Sequence, residues 1–126
     1  MENAKKILVV DDNRTIKMLL ERRLSAEGYK VFTAGDGREG LATAARELPD
    51  LILSDVDMPV MDGGEMVAKL KGSVRTSHIP VIFLTSLITQ QENARPASGD
   101  SWYISKMAKP TELLEAIKER LTLCSK

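Results

Sequence analysis

The sequence alternates five short apolar runs with longer segments of helical period, and this alternation constrains the fold more than any other feature. The apolar runs end at polar or glycine residues and predict strands at 6–11, 30–34, 50–55, 80–85 and 102–105. Strands that alternate with helices at this spacing predict a parallel sheet with helices on both faces. The expected class is therefore α/β, with a doubly wound five-stranded sheet in a single domain over residues 1–126.

Apolar residues three and four positions apart predict the helices that connect these strands. Three of the inward faces consist of Ile16, Leu19, Leu20 and Leu24 in the helix at 14–27, then Leu41, Ala44, Ala45 and Leu48, and finally Leu113, Leu114, Ile117 and Leu121 after Pro110. Asp62 and Glu65 have the spacing of a capping box and predict the start of another helix. The polar segment 87–101 supports at best a short helix near 88–95.

Charge and cysteine content exclude several classes of protein. Eighteen Lys and Arg residues balance 18 Asp and Glu residues, which argues against a nucleic-acid binder or an anionic-membrane binder. The longest apolar runs, at 7–10 and 81–84, are far shorter than the roughly 20 residues of a membrane helix. Cys124 is the single cysteine, so neither an internal disulfide nor a cysteine zinc site is expected. Residues 1–6 do not begin a signal peptide, and the expected location is cytoplasmic.

Polar side chains concentrate where the predicted strands end. Asp11 and Asp12 follow the first strand, and Asp55 ends the third, with Asp57 two positions later. Thr85 ends the fourth strand, and Lys109 lies shortly after the fifth. Ligands of open parallel sheets bind at the carboxyl ends of the strands, so these residues are expected to converge on one crevice.

Several carboxylates in one crevice repel each other unless a cation lies between them. A set of oxygen ligands without His or Cys favours a hard ion, and few protein ligands favour Mg²⁺ over Ca²⁺. Magnesium held in this way usually serves a phosphoryl group, and a hydroxyl and an ammonium group nearby would complete its contacts. One carboxylate could then be a nucleophile that becomes an aspartyl phosphate.

The chain resembles the receiver domains of bacterial two-component response regulators, including the stand-alone receivers of chemotaxis. The stretches that carry the resemblance are ILVVDDN (7–13), DLILSDVDMPVMDGGEM (50–66), PVIFLTS (80–86) and KP (109–110). The resemblance implies the strand order 2-1-3-4-5. It also implies that Asp55 accepts a phosphoryl group from a phosphohistidine on a sensor kinase.

The resemblance also assigns roles to the neighbouring residues. Asp11 and Asp12 would hold Mg²⁺ together with Asp55, and Asp57 would contribute its backbone carbonyl. Thr85 would contact the phosphoryl group and carry the switch, and Lys109 would pair with the phosphoryl group or with Asp55.

The sequence departs from the family at the expected output surface. The family usually has an aromatic residue three positions before the active lysine, and here that residue is Lys106. If Lys106 were the active lysine, Tyr103 would have the family's offset, but Lys106 is followed by Met107 rather than proline. Lys109 is therefore preferred, and Lys106 and Tyr103 become candidates for contact with a partner.

Two other functions compete with the receiver interpretation. Asp55 and Asp57 also resemble the nucleophile motif of haloacid-dehalogenase-type phosphatases, but no late acidic pair and no cap domain are expected here. A pseudo-receiver would share the fold and take up no phosphate. Gly35, Gly37 and Gly40 have the GxGxxG spacing of a dinucleotide site, although a turn and a close helix–sheet approach explain them more simply.

The sequence thus predicts a single-domain response regulator without an output domain of its own. Its expected chemistry is Mg²⁺-dependent self-phosphorylation and autodephosphorylation rather than enzymatic turnover. The expected partners are a sensor histidine kinase or phosphotransfer protein and a downstream protein that the sequence does not identify. Neither nucleic acid nor membrane is expected to bind, and the expected state is a monomer or weak dimer.

Overall fold

The computed structural model describes residues 4–55, 61, 63–85, 95–96, 101–105 and 110–124. In chain order the elements are β1 (Lys6–Val10), α1 (Arg14–Ala26), β2 (Lys30–Ala34), α2 (Gly37–Glu47), β3 (Leu51–Asp55), α3 (Gly63–Lys71), β4 (Val81–Thr85), β5 (Arg95–Pro96), β6 (Ser101–Ser105) and α4 (Pro110–Cys124). In this part of the chain, no helix is long and apolar enough to cross a membrane.

The strands form one sheet in the order β2-β1-β3-β4-β6-β5. The five longer strands are parallel, and this confirms the predicted class and order, with β6 as the fifth predicted strand. The two-residue β5 is an addition that pairs antiparallel with β6 at the edge. The helix proposed near 88–95 is wrong at Arg95, which lies in β5, and the rest of that range lies outside the described residues. Proline is tolerated in such an edge strand because no further strand needs its missing N–H group.

Alternate residues of the buried strands point to opposite faces of the sheet and form two cores. On one face, Leu51 and Leu53 of β3 pack with residues of α1 and α4. On the other face, Ile52 of β3 packs with residues of α2 and α3. Each fully buried aliphatic side chain stabilises the fold by about 1.5–3 kcal/mol, so two cores of this kind fix the sheet between helical layers.

The helices bury narrower faces than the sequence pattern predicted. In α1, Leu20 and Leu24 are buried, but Leu19 is 50% exposed. Leu19 directly precedes Leu20 and lies about 100° away around the helix axis, and the buried face of α1 is centred on Leu20 and Leu24 rather than on Leu19. Ala45 of α2 is exposed, and Leu48, which follows the last residue of α2, is 39% exposed, so these two positions do not belong to the inner face either.

The last helix follows its prediction. It begins at Pro110, and Leu113, Ile117 and Leu121 are buried while Leu114 is partly buried. Proline suits the first position of a helix because its missing N–H would have no partner within that helix.

Strand order reverses between β1 and β3, because the chain passes from β1 to β2 on one side and returns to β3 on the other. In doubly wound sheets, this reversal leaves a crevice at the carboxyl ends of the strands. The residues that follow β1 and end β3 are therefore the first place to look for a site.

Candidate metal centre

The sheet register places the carboxyl ends of β1, β3 and β4 side by side. Val10 of β1 pairs with Ser54 of β3, so Asp11 and Asp55 are the next residues on two neighbouring strands. Asp55 pairs with Leu84 of β4, and Thr85 is the next residue on that strand. Polar residues that are far apart in sequence thus meet at one edge of the sheet.

Three carboxylates converge at this edge. One oxygen from each of Asp11, Asp12 and Asp55 lies within 4.8 Å of the corresponding oxygens of the other two. Asp11 has no exposed surface and Asp55 is 8% exposed, whereas Asp12 is exposed to solvent. The cluster is buried on the side of the sheet and open on the side of Asp12, so a ligand can approach from that side.

Asp11 is held by one hydrogen bond of its main chain and one of its carboxylate. Its N–H donates to the carbonyl of Ala34 at the end of β2, with an N···O distance of 3.0 Å. Its Oδ1 accepts a hydrogen bond of 2.8 Å from the N–H of Asn13. Asn13 in turn caps α1, because its Oδ1 accepts a hydrogen bond of 3.0 Å from the N–H of Ile16. Asn13 had no predicted role in the site, although an Asn directly before a helical segment is a usual N-cap signal.

A buried hydroxyl lies beside Asp55. Ser54 has no exposed surface, and its Oγ donates a hydrogen bond of 2.8 Å to the backbone carbonyl of Asp55. An unpaired hydroxyl in an apolar core would destabilise the fold, so this bond satisfies Ser54 and orients the last peptide group of β3. Nothing in the sequence distinguishes Ser54 from an ordinary strand residue.

The other predicted site residues are only partly covered by the described part of the chain. Thr85 ends β4 in register with Ser105 of β6. Tyr103 lies in β6 in register with Phe83 of β4, and β4 separates β6 from β3. Asp57, Lys106 and Lys109 lie outside the described residues.

The donor set fits a hard divalent cation. Carboxylate oxygens are preferred ligands of Mg²⁺, which binds oxygen at about 2.0–2.1 Å and keeps several water molecules. Two ligands of one such ion lie roughly 3–4 Å apart, so oxygens already within 4.8 Å of each other need only small side-chain movements. The positive ion would also neutralise the repulsion among three carboxylates.

Comparison with known proteins points in one direction. A family model for the response regulator receiver domain matches residues 7–118. Response regulator PleD of Caulobacter vibrioides is 55% identical over 102 residues, which cover 80% of this chain and 22% of PleD. The chain thus spans about a fifth of the length of that curated relative.

Solved structures show the same likeness. The chemotaxis response regulator CheY4 of Vibrio cholerae has a TM-score of 0.81 at 32% identity, covering 94% of this chain and 99% of that chain. The receiver domain of the sensor histidine kinase PA1611 from Pseudomonas aeruginosa PAO1 has a TM-score of 0.81 at 29% identity, covering 95% and 99%. The latter structure was solved with a magnesium ion coordinated in its active-site cleft.

Proposed function

This chain belongs to the family of response regulator receiver domains of two-component systems, and we propose that it accepts a phosphoryl group on Asp55 in a reaction that needs Mg²⁺. The observation that carries the proposal is the convergence of Asp11, Asp12 and Asp55 at the end of the central strands. As a receiver domain, the chain is not a conventional enzyme.

Asp55 is the proposed phosphoryl acceptor because it is the carboxylate that ends β3, between β1 and β4. One of its oxygens would attack the phosphorus of a phosphohistidine on a sensor histidine kinase or a phosphotransfer protein. A P–O bond forms, the P–N bond breaks, and the histidine ring nitrogen keeps the electron pair. The product is an aspartyl phosphate, and attack by water on its phosphorus would return Asp55 to the carboxylate.

Asp11 and Asp12 would hold Mg²⁺ together with Asp55, and the backbone carbonyl of Asp57 would be a further ligand. When bound, Mg²⁺ would withdraw charge from the phosphoryl oxygens. The hydroxyl of Thr85 would donate a hydrogen bond to a phosphoryl oxygen. Lys109 would pair with the phosphoryl group or, before this group arrives, with Asp55.

The proposed output is phosphorylation-dependent binding to another protein, with Lys106 and Tyr103 on the contact surface. We propose a cytoplasmic monomer or weak dimer formed by one domain over 1–126, which binds neither nucleic acid nor membrane. The balanced charge of the chain supports this assignment, because nucleic acids and anionic membranes attract basic surfaces.

The phosphatase alternative gains no support from the comparisons, which relate the chain to receiver domains. The two functions differ in stoichiometry. A receiver takes up one phosphoryl group per chain from a small donor, whereas a phosphatase turns over many molecules of a phosphate ester. A pseudo-receiver would take up none.

The test is to incubate the protein with acetyl phosphate and Mg²⁺ and to weigh the intact chain. We expect a mass gain of one phosphate in the wild type and none in Asp55→Asn. Asp50→Asn is the matched control, because Asp50 lies at the opposite end of β3 from Asp55, where its carboxylate accepts a hydrogen bond of 2.8 Å from the Lys6 N–H. A gain that persists in Asp55→Asn, or steady turnover of a generic phosphate ester, would contradict the proposal.

A further inference from the structure

The three glycines with dinucleotide spacing lie at the start of α2, next to the carboxylate cluster. The N-terminus of α2 is already occupied by side chains, because Asp36 Oδ1 accepts a hydrogen bond of 2.8 Å from the N–H of Glu39. Glu39 Oε1 accepts another of 2.8 Å from the N–H of Gly35. Two carboxylates here would repel the phosphates of a dinucleotide, so the glycines need another explanation.

Gly37 forms a close backbone contact with Met61. Its N–H donates a hydrogen bond to the carbonyl oxygen of Met61 at 2.9 Å. A Cβ atom at position 37 would overlap that oxygen and would lie 2.9 Å from the carbonyl carbon. The described glycine with a positive φ is Gly28, so the backbone conformation does not require glycine at position 37. The lack of space beside Met61 does require it.

The same turn also holds the main chain of the buried carboxylate. We define the β2–α2 turn as residues 34–37. At one end of this turn, the carbonyl of Ala34 accepts the hydrogen bond from the N–H of Asp11. At the other end, Gly37 bonds to Met61, which follows Asp55 by six positions. A short turn therefore contacts both the main chain of Asp11 and the main chain of Met61.

We propose that Gly37 is a positioning residue for the phosphorylation site, through its backbone contact with Met61. The inference rests on the proposed function and adds a residue to it. The Gly37–Met61 contact fixes one end of the β2–α2 turn, and the Ala34 carbonyl at the other end of this turn holds the main chain of Asp11. Metal ligands bind tightly when their supporting backbone is held in place before the ion arrives. Loss of the contact should therefore lower the affinity for Mg²⁺, and by more than a substitution that destabilises α2 elsewhere.

The first experiment follows Mg²⁺ binding to the full chain by amide NMR shifts in wild type and Gly37→Ala. We expect Gly37→Ala to weaken Mg²⁺ binding at least tenfold. The matched control is Ala44→Gly. Ala44 is a buried residue of the same helix, α2, and packs in the core on that face of the sheet. The control should lower the melting temperature and leave the affinity for Mg²⁺ within twofold of wild type. Equal affinity in Gly37→Ala and wild type would overturn the inference.

A second variant separates the backbone contact from the side chain of Met61. The overlap involves the Met61 carbonyl, so Met61→Ala in the Gly37→Ala background should not restore Mg²⁺ binding. Restoration to the wild-type affinity would show that side-chain crowding was responsible and would overturn the positioning role of the backbone contact.

The third measurement needs no variant. If the formed contact raises the affinity for Mg²⁺ tenfold, then bound Mg²⁺ must shift the equilibrium between the broken and the formed contact tenfold toward the formed state. The coupling between two equilibria is reciprocal. Saturating Mg²⁺ should therefore slow hydrogen exchange of the Gly37 amide about tenfold by the same linkage. The Gly28 amide, which bonds to the Ser25 carbonyl at 3.0 Å after α1, is the control and should not change. Unchanged exchange at Gly37 in protein that binds Mg²⁺ would overturn this inference alone, and a wild type that binds no Mg²⁺ would overturn the proposed function with it.

Discussion

Replacing Asp12 by Asn tests whether the three carboxylates act as one cation site. The substitution removes one negative charge and keeps the size and shape of the side chain. At 4.8 Å, the upper limit of the separations in this cluster, two unit charges repel by about 1 kcal/mol in water and by about 3.5 kcal/mol at an effective dielectric constant of about 20. Asp12 is exposed, so the lower value applies to its pairs with Asp11 and Asp55. Asp12→Asn should therefore stabilise the metal-free protein by about 1–2 kcal/mol.

The assay is thermal unfolding with a chelator and with a series of Mg²⁺ concentrations. For a domain of this length, 1 kcal/mol corresponds to roughly 4 °C, so the metal-free variant should melt roughly 4–8 °C higher than wild type. Mg²⁺ at 100 times its dissociation constant should stabilise the wild type by about 2.7 kcal/mol. The same concentration should produce less than half of that shift in Asp12→Asn, because one anionic ligand is missing.

Glu21→Gln is the control for net charge, since Glu21 is exposed on α1 and outside the cluster. It should change the metal-free melting temperature by no more than about 1 °C and should leave the response to Mg²⁺ unchanged. Equal Mg²⁺-induced shifts in wild type and Asp12→Asn would refute the cation site. A metal-free variant that melts below the wild type would refute the repulsion argument.

Three further predictions follow from other parts of the molecule. Gly40→Ala should lower stability by about 1–3 kcal/mol in thermal unfolding, because a Cβ would lie 2.9 Å from both Val10 Cγ2 and Met66 Sδ. Burial raises the pKa of Tyr29, and the charge of Glu27 adds a smaller increase. The neutral Tyr29 side chain therefore contributes its full stability below the ordinary pKa of tyrosine, and this stability is lost as the pH rises through the higher pKa of the folded state. Tyr29→Phe should therefore reduce the loss of stability above about pH 10, as measured by unfolding at alkaline pH. Finally, Thr85→Ala should uncouple phosphorylation from the conformational change, as measured by the amide NMR shifts that the phosphoryl mimic beryllofluoride induces around β4 and α4. Lys106→Ala should keep these shifts and weaken only the binding of a partner, because burying the unpaired ammonium group of Lys106 during the switch would cost several kcal/mol.

The architecture was predictable because it depends on short-range patterns. The apolar runs that became β1, β3 and β4 are buried, and the parallel topology brings residues after those strands to one edge. Asp11, Asp12 and Asp55 could therefore be grouped from sequence positions alone. The phosphoryl-acceptor role of Asp55 stays a prediction, as do the roles of Asp57, Thr85, Tyr103, Lys106 and Lys109.

The contacts that position the site could not be predicted in the same way. Ser54 is an ordinary strand residue until the fold shows which carbonyl its hydroxyl meets. The N-cap signal of Asn13 likewise does not reveal that its N–H meets the Asp11 carboxylate. The glycine at position 37 is explained by a residue 24 positions later, Met61, and no local pattern contains that contact. Leu19 shows the converse error, because an apolar residue beside an inner face was assigned to that face and is half exposed.

The most direct test of the account is to identify the modified residue itself. The wild-type protein is incubated with acetyl phosphate and Mg²⁺ and then reduced with borohydride, which converts an aspartyl phosphate to homoserine. Peptide mass spectrometry should find homoserine at position 55, and omission of Mg²⁺ with added chelator should abolish it. Homoserine at position 11 or 12, or stable phosphate on His78 or on a hydroxyl group with position 55 unmodified, would contradict the assignment of Asp55 as the phosphoryl acceptor.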